Sequence, residues 1–365
     1  MKNFYRKTLI AAFLIGSAAT AFSQQMPPIP TDPDVRTGKL ENGLTYYIRH
    51  NELPEKQADF YIAQKVGSIL EEDNQRGLAH FLEHMCFNGT KNFPGNSLRE
   101  YLESIGVKFG VNLNAYTSID ETVYNINDVP VIREGIIDSC LLILHDWADD
   151  LTLDPKEIDK ERGVIHEEWR TRTGAMMRMY ETAFPTIFAG SKYAYRLPIG
   201  TMEVVDNFPY QALRDYYEKW YRPDQQGIIV VGDVNVDQIE QKIKNLFGPI
   251  QMPANPAERV HYPVPDNKET IVSINKDKEQ EINQVMVFHK HEPFPAEMKN
   301  TVGYLAYSFM DYAISHMLNA RLQELLLTAT PPFINAGAQD MDFILAKTKR
   351  AFTGCLLYTS PSPRD

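Results

Sequence analysis

The stretch Gly77-Leu78-Ala79-His80-Phe81-Leu82-Glu83-His84-Met85 decides the fold. It carries H-x-x-E-H, the reverse of the H-E-x-x-H order in which two histidines hold a cation and the glutamate works as a base. Leu78, Ala79, Phe81, Leu82, Met85 and Phe87 predict a buried helix, stopped by Asn88-Gly89. On such a helix His80 and His84 stand one turn apart on one face, so two imidazole nitrogens can reach one metal. Glu83 follows His80 by three residues, and its carboxylate can reach a water on that metal. A pair of core histidines beside a capping glutamate would give the same pattern. A catalytic zinc needs three protein ligands and an open position, so a third ligand has to come from elsewhere.

A second helix signal supplies candidates. Asp154-Pro155-Lys156-Glu157-Ile158-Asp159-Lys160-Glu161-Arg162-Gly163-Val164-Ile165-His166-Glu167-Glu168-Trp169-Arg170 opens on a good N-cap and a proline suited to the first helical position. Glu161 and Glu168 lie two turns apart on one face, with Val164 and Ile165 between them. A charge run on a helix is more often a solvated face. Two carboxylates in phase beside apolar residues point instead toward a site.

Together, His80-x-x-Glu83-His84 and Glu161-Arg162-x-Val164-Ile165-x-x-Glu168 resemble the pitrilysin/insulinase-type zinc peptidases, which include the mitochondrial processing peptidases. The resemblance implies one zinc per chain held by His80, His84 and Glu168, with Glu83 as general base and Glu161 as a further carboxylate near the metal. Glu167 stays an alternative to Glu168, since the spacing from His84 is longer than the family leads one to expect. The phase with Glu161 favours Glu168. Val111-Asn112-Leu113-Asn114-Ala115-Tyr116-Thr117-Ser118 is similar to the family's Asn-Ala-x-Thr edge strand. That resemblance implies that Asn114 and Ala115 bind peptide by strand addition. An ordinary edge strand protected by polar residues is the plainer reading of the same stretch.

Lys2, Arg6 and Lys7 precede an apolar run from Thr8 to Phe22 that is too short to span a bilayer, and Ala21-Phe22-Ser23 offers a small-x-small cleavage site. Residues 1–23 are therefore expected to be a signal peptide, and the mature chain to be periplasmic. Losing three positive charges moves the formal net charge from −11 to −14. An acidic chain with no basic patch argues against nucleic acid as a partner. Cys86, Cys140 and Cys355 make no disulfide framework. The first two are expected in the core. Residues 355–365 resemble the translation of a transposon-end sequencing adapter, so the native sequence is expected to run to about Gly354 and the gene to have been cut short.

Between these ends, strands and helices alternate. Lys39 to Ile48 predicts a hairpin around Asn42-Gly43, and Asp59 to Val66 a strand. A helix is expected over Ser97–Ile105, a strand pair over Phe109–Val129, and helices over Ile132–Asp150, Tyr210–Trp220 and Val236–Phe247. Gln226–Asp233 is expected as a buried strand. The sum is an α+β fold, a mostly antiparallel sheet packed against helices, in one catalytic domain over residues 32–264. Pro253, Pro256, Pro263 and Pro265 mark a linker. Beyond it, strands are expected at Glu269–Ile274 and Asn283–His289 and a helix at Met298–Leu327, with His289 and His291 on the surface. The resemblance implies that residues 265–354 begin a second domain of the same fold without a metal site. The helix around Leu318–Leu325 indeed has no H-x-x-E-H.

The expected function is that of a zinc endopeptidase hydrolysing peptides or unfolded segments through a zinc-activated water. The family closes a chamber from two halves, so a C-terminal half or a partner subunit is the expected partner. The family's substrate-contacting arginine and tyrosine have no assignable positions here. The other class considered is a non-catalytic, partner-dependent subunit of a two-component peptidase. A structural metal fits less well, because four closed ligands would be needed and only Cys86 lies nearby.

Overall fold

A computed structural model describes residues 27–359, so the expected signal peptide and the last six residues lie outside the described part. The element order begins with strands β1 (Val35–Lys39), β2 (Thr45–His50) and β3 (Gln57–Gln64), then helices α1 (Leu78–Met85) and α2 (Ser97–Ser104). Strands β4 (Leu113–Thr117) and β5 (Thr122–Pro130) follow. Next come helices α3 (Glu134–Asp149), α4 (Pro155–Arg172), α5 (Ala175–Ile187), α6 (Met202–Asn207) and α7 (Tyr210–Trp220). Strand β6 (Gln226–Gly232) and helix α8 (Val236–Phe247) complete this part. They belong to one compact unit, formed by Asp32–Gln280 with Ile344–Thr348.

Its six-stranded sheet has the order β1-β2-β6-β3-β5-β4. Only the β2–β6 pair is parallel, because helices α1 to α7 separate the two strands in sequence. Along β3 buried and half-buried residues alternate strictly, the signature of a sheet with one face on the core. The register aligns these positions into rows. Ile48, Val230, Phe60 and Ile126 face one another across four strands, and so do Tyr46, Ile228, Ile62 and Tyr124. All eight are at most 3% exposed. The next row is polar, running Gln226, Gln64, Thr122 and Thr117, and ends at β4, the sheet's edge. Helix α3 packs on β3, α8 on β2 and α1 on β4.

The second unit gathers Glu281–Phe343 with, among the described residues, 27–31 and 349–359. It holds β7 (Ile282–His291), helix α9 (Val302–Leu326), β8 (Asn335–Phe343) and all but the first three residues of β9 (Ala346–Thr359), with the sheet order β7-β9-β8. Helix α9 is apolar around its circumference, yet none of its side chains is buried among the described residues; Phe309 is 70% exposed. Helices of this composition normally lie in a core. No helix of the described residues is long and apolar enough to cross a membrane.

Several expectations need correction. Residues 269–274 form no strand: Val272 and Ile274 stand largely exposed, because an apolar run becomes a strand only where an edge accepts it. Val164 is 49% exposed rather than packed between the two glutamates. His289 is exposed, but His291 is half-buried and pairs with Asp340 at 2.6 Å. The helix expected from Met298 begins at Val302, after a 3-10 turn at Ala296–Met298. Helices α5 and α6 and the β8–β9 hairpin were not expected from the sequence. Residues 355–359 continue β9 opposite β7, from Met286↔Cys355 to Ile282↔Thr359.

Candidate metal centre

Helix α1 is too short to stand alone in water, so packing must hold it. Leu78, Ala79, Phe81, Leu82 and Met85 are at most 1% exposed. At its end, the indole N–H of buried Trp147 donates to the Cys86 carbonyl at 2.9 Å. Phe87, Tyr124 and Trp147 pack around that point with ring centroids 5.2 to 6.3 Å apart. Cys86 and Cys140 are free and buried. Helix α4 starts as its sequence dictates, with Asp154 Oδ1 accepting from Lys156 N at 2.7 Å and Pro155 in the first turn. Ile158, Glu161 and Ile165 are its buried residues, and Glu168 continues the same stripe.

The two helices bring three side chains together. Nε2 of His80 lies 3.2 Å from Nε2 of His84. The Glu168 carboxylate reaches both, with Oε1 3.5 Å from His80 and Oε2 3.2 Å from His84. The three ligand atoms lie within 4.8 Å of one another. Glu167 points away: it is 66% exposed and pairs with Arg170 at 2.7 Å.

Around this triad, Nδ1 of His84 faces Oε1 of Glu161 at 2.7 Å, and Asn88 Nδ2 donates to the other Glu161 oxygen at 2.6 Å. Burial works against a charge on His84, but the bonds to Glu161 and Glu168 win and raise its pKa to about 9. Burial would raise the Glu168 pKa; its bonds to His80 and His84 outweigh this and hold it well below the usual carboxylate range. Glu83 accepts from Thr117 Oγ1 at 2.5 Å, so the end of the polar row meets the motif's glutamate. Asn114 and Ala115 lie on β4, which pairs with β5 alone among the described strands. Asn114 Nδ2 donates to the Val111 carbonyl at 2.9 Å.

Beside the triad opens a cavity of about 190 Å³, lined by His80, Thr117 and Glu168 and walled by Trp169, Met177, Leu197, Pro198 and Ile199. A larger cavity, about 330 Å³, lies between Asp149, Arg214 and Tyr217, and no member of the triad lines it. Sequence reasoning missed Thr117 and Asn88 as partners of the two glutamates. It also missed Arg172, whose Nη1 lies 2.7 Å from Glu168 Oε1. The i,i+4 spacing of Glu168 and Arg172 was the available signal for that last pair.

The arrangement has relatives among known proteins. Residues 47–186 match the family described as insulinase (peptidase family M16), and residues 207–341 the peptidase M16 inactive domain. A probable zinc protease, PqqL, from Escherichia coli (strain K12) is 35% identical over 343 residues, covering 92% of this chain and 35% of the relative. The chloroplastic stromal processing peptidase of Pisum sativum is 29% identical over 225 residues, covering 60% of this chain and 17% of the relative. The crystal structure of the first half of the periplasmic protease PqqL from Escherichia coli superposes with a TM-score of 0.80 at 31% identity, covering 92% of this chain and 70% of that one. The chain thus spans about a third of the length of the curated relatives that match it over most of its residues. With both family domains matched and the fold shared, the chain belongs to the insulinase family, peptidase family M16.

Proposed function

We propose that the chain carries the catalytic centre of a zinc-dependent endopeptidase acting on peptides or unfolded polypeptide segments. The observation that supports this reading is the convergence of His80, His84 and Glu168, with the two Nε2 atoms 3.2 Å apart and the Glu168 oxygens lying one 3.5 Å from His80 and the other 3.2 Å from His84. Two ligands about 2.0–2.2 Å from a tetrahedral zinc stand roughly 3.3–3.6 Å apart, close to the spacing of the imidazole pair, and three protein ligands would leave a fourth position for water. Zinc bound there, one per chain, would lower the pKa of a water to about 7 and polarise a substrate carbonyl.

The chain's own residues do the rest. Glu83 takes the proton of the attacking water and returns it to the leaving amine. Thr117, donating to Glu83, restricts the rotamer of that carboxylate. Glu161 holds the His84 ring so that Nε2 keeps its lone pair for the ion. Asn114 and Ala115, on the edge strand, receive substrate as an added strand whose main-chain bonds give affinity with little sequence preference. Full turnover requires the remaining polypeptide of a full-length relative, or a partner subunit, to close the chamber. The exposed apolar surface of α9 favours such a covering chain. We assign the protein to the periplasm on the pattern of residues 1–23 and on the Escherichia coli relative, described as periplasmic.

The test is Glu83→Gln, assayed together with the polypeptide that completes the enzyme. Zinc content should stay near one per chain while peptide hydrolysis falls by about 100-fold or more. Loss of zinc from this variant, or unchanged hydrolysis, removes Glu83 from its role.

A further inference from the structure

Helix α1 begins on Gly77, at φ 106°, which offers no side-chain cap. The first N–H groups of a helix need partners from outside it. Here the Ala79 N–H donates to Oε1 of Glu71 at 2.9 Å, in a buried bond. Glu71 is 0% exposed, and its Oε2 has no hydrogen-bond partner among the described residues. Arg196, itself 4% exposed, holds the segment in place. Its Nε donates to the Glu71 carbonyl at 3.1 Å and its Nη2 pairs with Asp73 at 2.6 Å. Ser68 Oγ donates to the Arg196 carbonyl at 2.6 Å and closes the ring of contacts.

As packing, a buried and half-satisfied carboxyl is a poor choice, since an apolar side chain of that size would avoid the desolvation cost. As an acceptor under the start of α1 it is a good one, because a carboxyl there meets both the free N–H and the positive end of the helix. Ala79 directly precedes His80, so the position of that first turn determines where the His80 imidazole points.

We propose that Glu71 is a positioning residue of the metal centre, which sets the first turn of α1 through the Ala79 N–H and thereby aims His80 at the ion. The inference rests on the zinc reading given above. Outer partners that bond a ligand directly are worth about 10- to 100-fold in metal affinity, and one that acts through the backbone of the preceding residue is expected at the lower end of that range.

The test measures zinc affinity by chelator competition, together with the visible absorption of the cobalt(II)-substituted protein, which reports ligand geometry. Glu71→Leu keeps the volume and removes the acceptor; zinc should bind about 10-fold more weakly or worse, with a changed cobalt spectrum. Glu71→Gln keeps an acceptor for Ala79 and should restore both. Wild-type affinity and spectrum in a folded Glu71→Leu protein overturn the proposal. Should that variant fail to fold, Glu71→Asp withdraws the acceptor by one methylene, and wild-type behaviour there overturns the proposal equally. A wild-type protein that takes up neither metal overturns the zinc reading itself, a result distinct from either of these.

Discussion

Nδ1 of His84 lies 2.7 Å from Oε1 of Glu161, a carboxylate 77 residues further along the chain. In the zinc reading proposed above, the contact would fix which nitrogen of the imidazole is left for the metal, and Asn88 occupies the other Glu161 oxygen at 2.6 Å. Glu161→Gln should therefore weaken zinc binding about 10- to 100-fold without changing the far-ultraviolet circular dichroism. Wild-type affinity in this variant would make the contact incidental.

Glu168 and Glu167 are neighbours with opposite surroundings. One faces His80 and His84, the other faces solvent and Arg170. Metal analysis of the purified variants should find zinc lost from Glu168→Gln and retained in Glu167→Gln. The reverse pattern moves the ligand by one position.

Gly200 stands at φ 69°, and a Cβ added there would collide with the backbone of Arg76 and Gly77, just ahead of α1. Neither backbone can yield cheaply. Gly200→Ala should cost about 1–3 kcal/mol, read as a lower thermal midpoint. An unchanged midpoint would show that the segment relaxes freely.

Burial pushes the Glu71 carboxyl up to about 8, against the pull of the Ala79 and Gly77 amides and the charges of Arg196 and Arg76. Buried Tyr216, whose hydroxyl donates to the Gly67 carbonyl at 3.0 Å, interacts with it electrostatically. A carboxyl with a raised folded pKa contributes stability that is complete below its ordinary value of 4.5 and is lost as the pH climbs through 8. His84, raised to about 9, acts in the same sense over a higher window. The informative quantity is thus the difference between two urea-unfolding series on metal-free protein. Relative to Glu71→Gln, which cannot ionise, the wild type should lose stability between about pH 5 and pH 8. Parallel curves would mean that Glu71 does not titrate in this window.

Much of this was legible in the sequence because it is local. The helices at Tyr210–Trp220 and Val236–Phe247 show the 3.6-residue period and their stops within a dozen residues. The family signature narrowed the site further, since H-x-x-E-H on a short apolar helix admits few other chemistries. What stayed hidden depends on partners distant in sequence. Thr117 meets Glu83, and Asn88 meets Glu161, only once the sheet and α4 are assembled. Residues 269–274 have the composition of a strand but lack an edge to join, which no local pattern can disclose. Pro185 inside α5, together with a start on Gly174 that has no side-chain cap, obscured that helix.

The most direct test is the zinc K-edge X-ray absorption of the purified protein and of Glu168→Gln. Two imidazole nitrogens at about 2.0–2.1 Å and carboxylate and water oxygens at about 2.0–2.2 Å are expected around the zinc, with the metal depleted in the variant. A sulfur at about 2.3 Å, or a spectrum indifferent to Glu168, would contradict that ligand set.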